Sequence, residues 1–171
     1  MGEIVTKNFT AGFPIKDNVV WLARKTRGYR GKRNGYGGLI ELGETAMFSF
    51  LRELWEESGV ISEEGFLELI AVVDSHTVLS DQVISIHRIF FFAMYKWYGL
   101  FQESEEMIDP QYFYINNLPL QEMIITDADW LPEALSGKRL YVKTYLDPSK
   151  EKKVRETEIL EVVSFEEYKL L

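Results

Sequence analysis

The stretch that decides the fold runs from Gly38 to Val60 and reads "GLIELGETAMFSFLRELWEESGV". Glu53, Glu56 and Glu57 crowd together in a segment that contains no proline. Gly43 and Gly59 bracket it, and a glycine at the far end suits the left-handed residue that closes a helix. At about 100° per residue, Glu53 set at 0° puts Glu56 at roughly 300° and Glu57 at roughly 40°. Ser49 and Ala46 share that arc. Phe50, Leu54, Met47, Leu51, Trp55 and Phe48 fall at roughly 60° to 220° on the same wheel. The pattern predicts a helix with a broad apolar face packed on a sheet and three carboxylates on the other side.

Carboxylates so close together raise one another's pKa values and destabilise the helix. Glu56 and Glu57 also stand near the helix C-terminus, where the macrodipole disfavours negative charge. Arg52 is spaced to pair with Glu56 at i,i+4, which relieves part of the repulsion. The placement is poor for stability and good for a divalent cation with oxygen ligands. On spacing alone, a solvated acidic face remains the alternative.

Composition agrees with one soluble globular domain over residues 1–171, with 46% hydrophobic and 27% charged residues. There are no cysteines, which removes disulfides, zinc–thiolate sites and cysteine nucleophiles. The first twenty residues lack the order of a signal peptide, and no apolar run reaches membrane-spanning length. The expectation is a cytoplasmic protein with no membrane partner, either monomer or homodimer. Gly2 and Thr6 match the N-myristoylation pattern, which is too loose to carry an argument. The net charge of −8 does not favour a bare polyanion such as nucleic acid. A small phosphate ligand neutralised by cations remains compatible with it.

Residues 18–25 read as a strand entering a glycine-rich loop over 26–38. Residues 66–75 and 83–97 read as long strands from their β-branched and aromatic content. An acidic loop over 99–109 precedes a short strand at 111–115. A short helix is expected over 127–138, with Gly137 near its end. A hairpin with the polar tip "DPSKEKK" follows, and a last short helix is expected over 164–171. Strands and helices mix without regular alternation, which predicts an α/β (α+β) fold with one mixed sheet flanked by helices. His76 and His87 read as structural.

The opening stretch fits a larger pattern: Gly38, five residues, Glu44, seven residues, then Arg52, Glu53, Leu54, Trp55, Glu56, Glu57, Ser58, Gly59 and Val60. A chance match is on the order of one in a billion windows if each residue type occurs near 5–7%. The segment resembles the Nudix box, and the chain resembles the Nudix hydrolases. "KTRGYRGKRNGYGG", "ESEEM" and "MIITDADWLP" extend the similarity, more loosely, to the MutT-type branch that sanitises oxidised purine nucleoside triphosphates. The resemblance implies the Nudix fold: a mixed sheet between helices, with the box as loop–helix–loop. It also implies Mg²⁺- or Mn²⁺-dependent hydrolysis of a nucleoside triphosphate such as 8-oxo-dGTP to monophosphate and pyrophosphate.

Carried onto this sequence, the resemblance makes Glu53, Glu56 and Glu57 metal ligands, one of them helping to deprotonate the attacking water. The Gly38 carbonyl and Glu106 join them, with Glu103 or Glu105 as substitutes for Glu106. Arg52 holds the glutamates and Glu44 supports the loop–helix junction. Asn34 and Asp127 read the purine edge; for Asn34 the alternative is a turn residue before Gly35. Lys25, Arg27, Lys32 and Arg33 are candidate phosphate contacts, and Tyr29 and Trp130 candidate aromatic surface. Three positions depart from the branch: Leu39 replaces a lysine, Thr126 a second aspartate and Ile124 a stacking tryptophan. Two other functions stay open at this level. One is a pyrophosphohydrolase for another nucleoside diphosphate derivative, such as ADP-ribose or a dinucleoside polyphosphate. The other is a non-catalytic nucleotide-binding Nudix module.

Overall fold

The computed structural model describes residues 4–166. Val5–Lys16 (β1), Val19–Lys25 (β2) and the short Arg33–Asn34 (β3) precede the box helix, Ala46–Ser58 (α1). Leu67–Leu79 (β4) and Gln82–Met94 (β5) form a long hairpin, and Met107–Tyr114 (β6) follows. Asp127–Leu135 (α2) leads to Leu140–Leu146 (β7) and Glu158–Glu161 (β8). The strands form one sheet in the order β3-β2-β1-β5-β4-β7-β8, with β6 paired to β2. β1 with β5 and β4 with β7 are parallel, and the other pairs are antiparallel.

Strand periodicity builds the sandwich. Alternate residues of one strand face opposite sides, so Phe91 and Ala93 pack in one core while Phe90 and Phe92 pack in the other. On β4, Ala71 and Val73 separate from Val72 in the same way. α1 covers the second core through Phe50 and Leu54, with the Phe50 ring 5.8 Å from Phe92. α2 covers the first through Trp130, Leu131 and Ala134, with Trp130 4.8 Å from Phe91. The result is the mixed sheet between helices that the sequence predicts.

Local chemistry sets the boundaries. The Thr45 side chain caps α1 by accepting from the Phe48 amide at 3.1 Å. Gly59 closes it at φ 71°, its amide donating to the Trp55 carbonyl. Tight two-residue turns join β1 to β2 and β4 to β5. Asp17 and Asn18 have φ of 51° and 63°, and Ser80 and Asp81 have 51° and 65°. That doubly left-handed geometry matches the right-handed twist of the flanking strands.

Several expectations need correction. The apolar face of α1 is narrower than the wheel suggests: Phe48 and Trp55 are 55% and 58% exposed, because contact with the sheet centres on Phe50 and Leu54. β1 went unrecognised, since Gly12 and Pro14 interrupt its strand character. β6 begins at Met107, inside the segment read as an acidic loop, because pairing with β2 extends it backwards. The helix expected over 164–171 runs outside the described residues, and Gly2 lies outside them. No helix among the described residues is long and apolar enough to cross a membrane.

Candidate active site

The glycine-rich loop before α1 is zipped onto β1. Gly12 and Tyr36 exchange amide–carbonyl bonds at 2.7 and 3.0 Å, and the Thr10 amide donates to the Gly38 carbonyl at 2.9 Å. This approach requires glycine at position 37, where φ is 150° and a Cβ would sit 2.1 Å from the Thr10 carbonyl oxygen. A Cβ on Gly38 would lie 2.5 Å from the Glu53 carboxyl carbon. The loop is therefore pressed directly onto the acidic side of α1.

Arg52 organises that side. Its guanidinium grips both oxygens of Glu44 at 2.7 and 2.9 Å and donates to Glu53 Oε1 at 2.8 Å. It reaches Glu56 at only 3.3 Å and also donates to the Leu39 carbonyl at 3.2 Å. The i,i+4 pair is thus the longest of its three ion pairs. The two-pronged grip holds Glu44 ionised, with its pKa lowered to about 2. Glu44 also accepts from the Glu41 amide, which braces the loop just before the Thr45 cap of α1.

Glu57 is buried, with Oε2 accepting from the Gly37 amide at 2.8 Å. Burial pushes its pKa up to about 7; Lys25 and the Gly37 amide oppose this, while Glu53 and Glu106 add to it. Burial also raises Glu53, against the pull of Arg52. Glu56 is exposed at the edge. Glu53, Glu56 and Glu57 line a cavity of about 290 Å³ together with Ser104, Glu105 and Glu106. Glu106 enters it from the loop before β6 and pairs with Arg27. Glu103 turns away, accepting from the Asp109 amide at 2.8 Å.

A second cavity, of about 370 Å³, shares Glu106 as a wall. Lys25, Arg27, Gly37 and Gly38 line it at the glutamate end, and Tyr29, Asn34, Asp127 and Trp130 line it elsewhere. Asn34 Oδ1 accepts from the Gly35 amide at 2.8 Å, so a turn bond and a place on the cavity wall coexist in one side chain. Asp127 stands at the start of α2 and is buried; desolvation raises its pKa to about 7, with a smaller push from Asp129. Burial raises the Tyr29 hydroxyl to about 12, beside Asp127 and Ser75. Trp130 is chiefly a core residue, only 1% exposed.

No protein-family model matches the chain. It is 33% identical over 135 residues to the oxidized purine nucleoside triphosphate hydrolase of Danio rerio, covering 78% of this chain and 83% of that one. The corresponding Mus musculus protein is 31% identical over 132 residues, covering 77% and 81%. The chain belongs to the Nudix hydrolase family. Among solved structures, the mutator MutT protein from Bacillus halodurans superposes with a TM-score of 0.75 at 20% identity, covering 90% of this chain and 97% of that one. The MutT NUDIX hydrolase from Burkholderia pseudomallei gives 0.59 at 19% identity, over 67% and 88%.

In this Nudix hydrolase two expected phosphate contacts lie elsewhere. Arg33 is buried against Asp109 at 2.6 Å and Glu122 at 3.3 Å, with its guanidinium over the Phe113 ring, so it locks β3 to β6 and the turn beyond. Lys32 is not on the cavity wall. Sequence reasoning missed Phe9, Thr10, Ser75, Thr144 and Lys150, which all line the larger cavity. His87, read as structural, lines it too, 4.8 Å from the Phe9 ring. His76 does play the structural part, bonded to the Thr144 carbonyl and stacked on Tyr145.

Proposed function

We propose that this protein hydrolyses purine nucleoside triphosphates, oxidised ones such as 8-oxo-dGTP among them, to the monophosphate and pyrophosphate with Mg²⁺ or Mn²⁺. The observation that carries this reading is the pair of adjoining cavities. One is lined by carboxylates, and the other is of nucleoside size with Asn34 and Asp127 on its wall. The names of the Danio rerio and Mus musculus relatives support the substrate class.

Among the described residues no three acidic or imidazole groups are already gathered at metal-binding distance. Arg52 and the Gly37 amide hold Glu53 and Glu57 instead. The donor set nevertheless fits a hard divalent ion: all its donors are oxygen, and burial, with a smaller push from neighbouring carboxylates, raises the pKa values of Glu53 and Glu57. Glu53, Glu56, Glu57, Glu106 and the Gly38 carbonyl would hold it. Such an ion would neutralise phosphate charge and lower the pKa of a bound water so that it can be deprotonated for attack on phosphorus.

The protein's own groups do the rest. Arg52, clamped by Glu44, keeps Glu53 against Gly38, and one of the box glutamates receives the water's proton. Lys25 and Arg27 stand at the glutamate end, where the phosphates must lie. The Asn34 amide donates to the base, and Asp127 donates when protonated and accepts when ionised.

The test is pyrophosphate release with Mg²⁺ across oxidised and normal purine triphosphates, ADP-ribose and dinucleoside polyphosphates. Turnover of the purine triphosphates is expected. No turnover of any compound by folded protein would sink the enzymatic reading, and turnover confined to ADP-ribose or a dinucleotide would overturn the substrate.

A further inference from the structure

The larger cavity runs along the sheet. Asn34 lies on β3 at one end of the strand order, Thr10 on β1, His87 on β5, Ser75 on β4 and Thr144 on β7 towards the other. The β7–β8 hairpin then folds Lys150 onto its wall. The hairpin tip is a built structure. Asp147 accepts from the Ser149 hydroxyl and from the amides of Glu151 and Lys152 at 2.6, 3.1 and 3.0 Å, and its carbonyl takes the Lys150 amide at 2.9 Å. These bonds hold Lys150 at φ 62°, a conformation that a residue with a side chain avoids unless its surroundings impose it. Lys153 and Thr157 bond Asp129, tying the hairpin to the same helix that carries Asp127.

Lys150 differs from two other lysines of the hairpin. Lys143 and Lys153 pair with Glu158 and Asp129 at 3.7 and 2.9 Å. Lys150 pairs with no carboxylate among the described residues; its ammonium lies 5.1 Å from the centre of the Tyr29 ring, and the residue is half-buried. A partly desolvated ammonium needs an acceptor. A second, independent sign of unmet hydrogen bonding lies in the same cavity wall: the buried hydroxyls of Thr144 on β7 and Thr10 on β1 have no partner.

We infer that Lys150 is a substrate-binding residue that donates a hydrogen bond to a carbonyl on the purine edge remote from Asn34, and so selects bases carrying an added ring carbonyl. The inference rests on the proposed function and deepens it. The phosphates must lie at the glutamate end, and Asn34 and Asp127 face the base from their own walls. The edge left over lies under the hairpin. An ammonium there has three donors and no acceptor, so it favours a carbonyl oxygen over a C–H. The contact is charge-assisted, and the side chain that makes it is already held in place.

The experiment compares the wild-type chain with Lys150→Met and Lys150→Arg. For each, kcat and KM are measured with 8-oxo-dGTP and dGTP, and the two monophosphates are titrated calorimetrically in EDTA. Lys150→Met is expected to lower kcat/KM for 8-oxo-dGTP roughly 10- to 100-fold more than kcat/KM for dGTP, chiefly through KM. The monophosphates should show the same differential loss, and Lys150→Arg should restore most of it. A merely structural lysine would move both substrates together. An unchanged oxidised-to-normal ratio in Lys150→Met, by kinetics and calorimetry, overturns the inference. Failure to turn over any purine triphosphate would defeat the proposed function instead, and the calorimetric arm would still read Lys150.

Discussion

Asp127 makes stability depend on pH in a direction opposite to most carboxylates. Its ordinary pKa is 3.8, and burial at the start of α2 raises it to about 7. The folded state therefore holds the proton more tightly than the unfolded chain does. The contribution is fully present below pH 3.8, fades as pH rises, and is lost once pH passes about 7. At about 1.4 kcal/mol per pH unit, the interval from 3.8 to about 7 corresponds to about 4 kcal/mol. Asp127→Asn keeps the shape of the neutral acid and cannot ionise, so it escapes this loss. The assay is urea unfolding of both proteins between pH 4 and 8, comparing differences so that other titrating groups cancel. With a slope near 2 kcal/mol per M, the variant's midpoint should exceed the wild type's by roughly 2 M at pH 8. The advantage should shrink steadily towards pH 4. A difference that stays constant across this range would refute the burial argument, because an altered hydrogen bond alone has no such pH dependence.

Four other outcomes follow from the same geometry. Phe50→Ala empties the contact between α1 and Phe92 and should cost about 3–5 kcal/mol in urea unfolding. Gly37→Ala drives a Cβ to 2.1 Å from the Thr10 carbonyl oxygen and should lower both thermal stability and turnover, more than Gly31→Ala, whose added carbon meets nothing within 4 Å. Glu56→Gln, at an exposed position with little structural burden, should reduce pyrophosphate release by at least the roughly 10- to 100-fold typical of metal-site partners, with the fold unchanged by circular dichroism. Chelation with EDTA should abolish turnover, and Mg²⁺ or Mn²⁺ should restore it.

The glutamate end of the site was legible because its parts lie close together in the chain. Gly38, Glu44, Arg52 and the three glutamates fall within a single loop and helix, so helical spacing alone brings their carboxylates to one side. Even there, local reasoning went only part of the way. The expected Arg52–Glu56 pair forms at 3.3 Å, but the loop also carries Glu44 back over the helix and gives the guanidinium a closer, two-pronged partner. Local reasoning also widened the apolar face to Phe48 and Trp55, because a wheel shows which residues share a side but not where the sheet ends. Arg33 was misread for a related reason: its acidic partners, Asp109 and Glu122, are more than seventy residues away.

Beyond Tyr29, Asn34, Asp127 and Trp130, the larger cavity was illegible because no local pattern assembles it. Phe9 and Thr10 come from β1, His87 from β5, Ser75 from β4, and Thr144 and Lys150 from β7 and its hairpin. They share a wall through the pairings of β1 with β5, β5 with β4 and β4 with β7, which set Phe9 beside Ile89, His87 beside Ser75 and Ser75 beside Thr144. Those pairings also bear on the departures from the MutT-type branch. Ile124 cannot stack on a base as a tryptophan would, yet the cavity it lines is not short of ring surface. Tyr29 and the Phe9–His87 pair supply it from other walls. Thr126 removes one carboxyl from the start of α2, while Asp129 is already engaged by Lys153 and Thr157. Asp127 is thereby left as the one α2 carboxylate on the cavity wall among the described residues. The cavity keeps Asp127 from the α2 segment and takes ring surface from the strands, so a missing tryptophan in that segment does not leave it without aromatic walls.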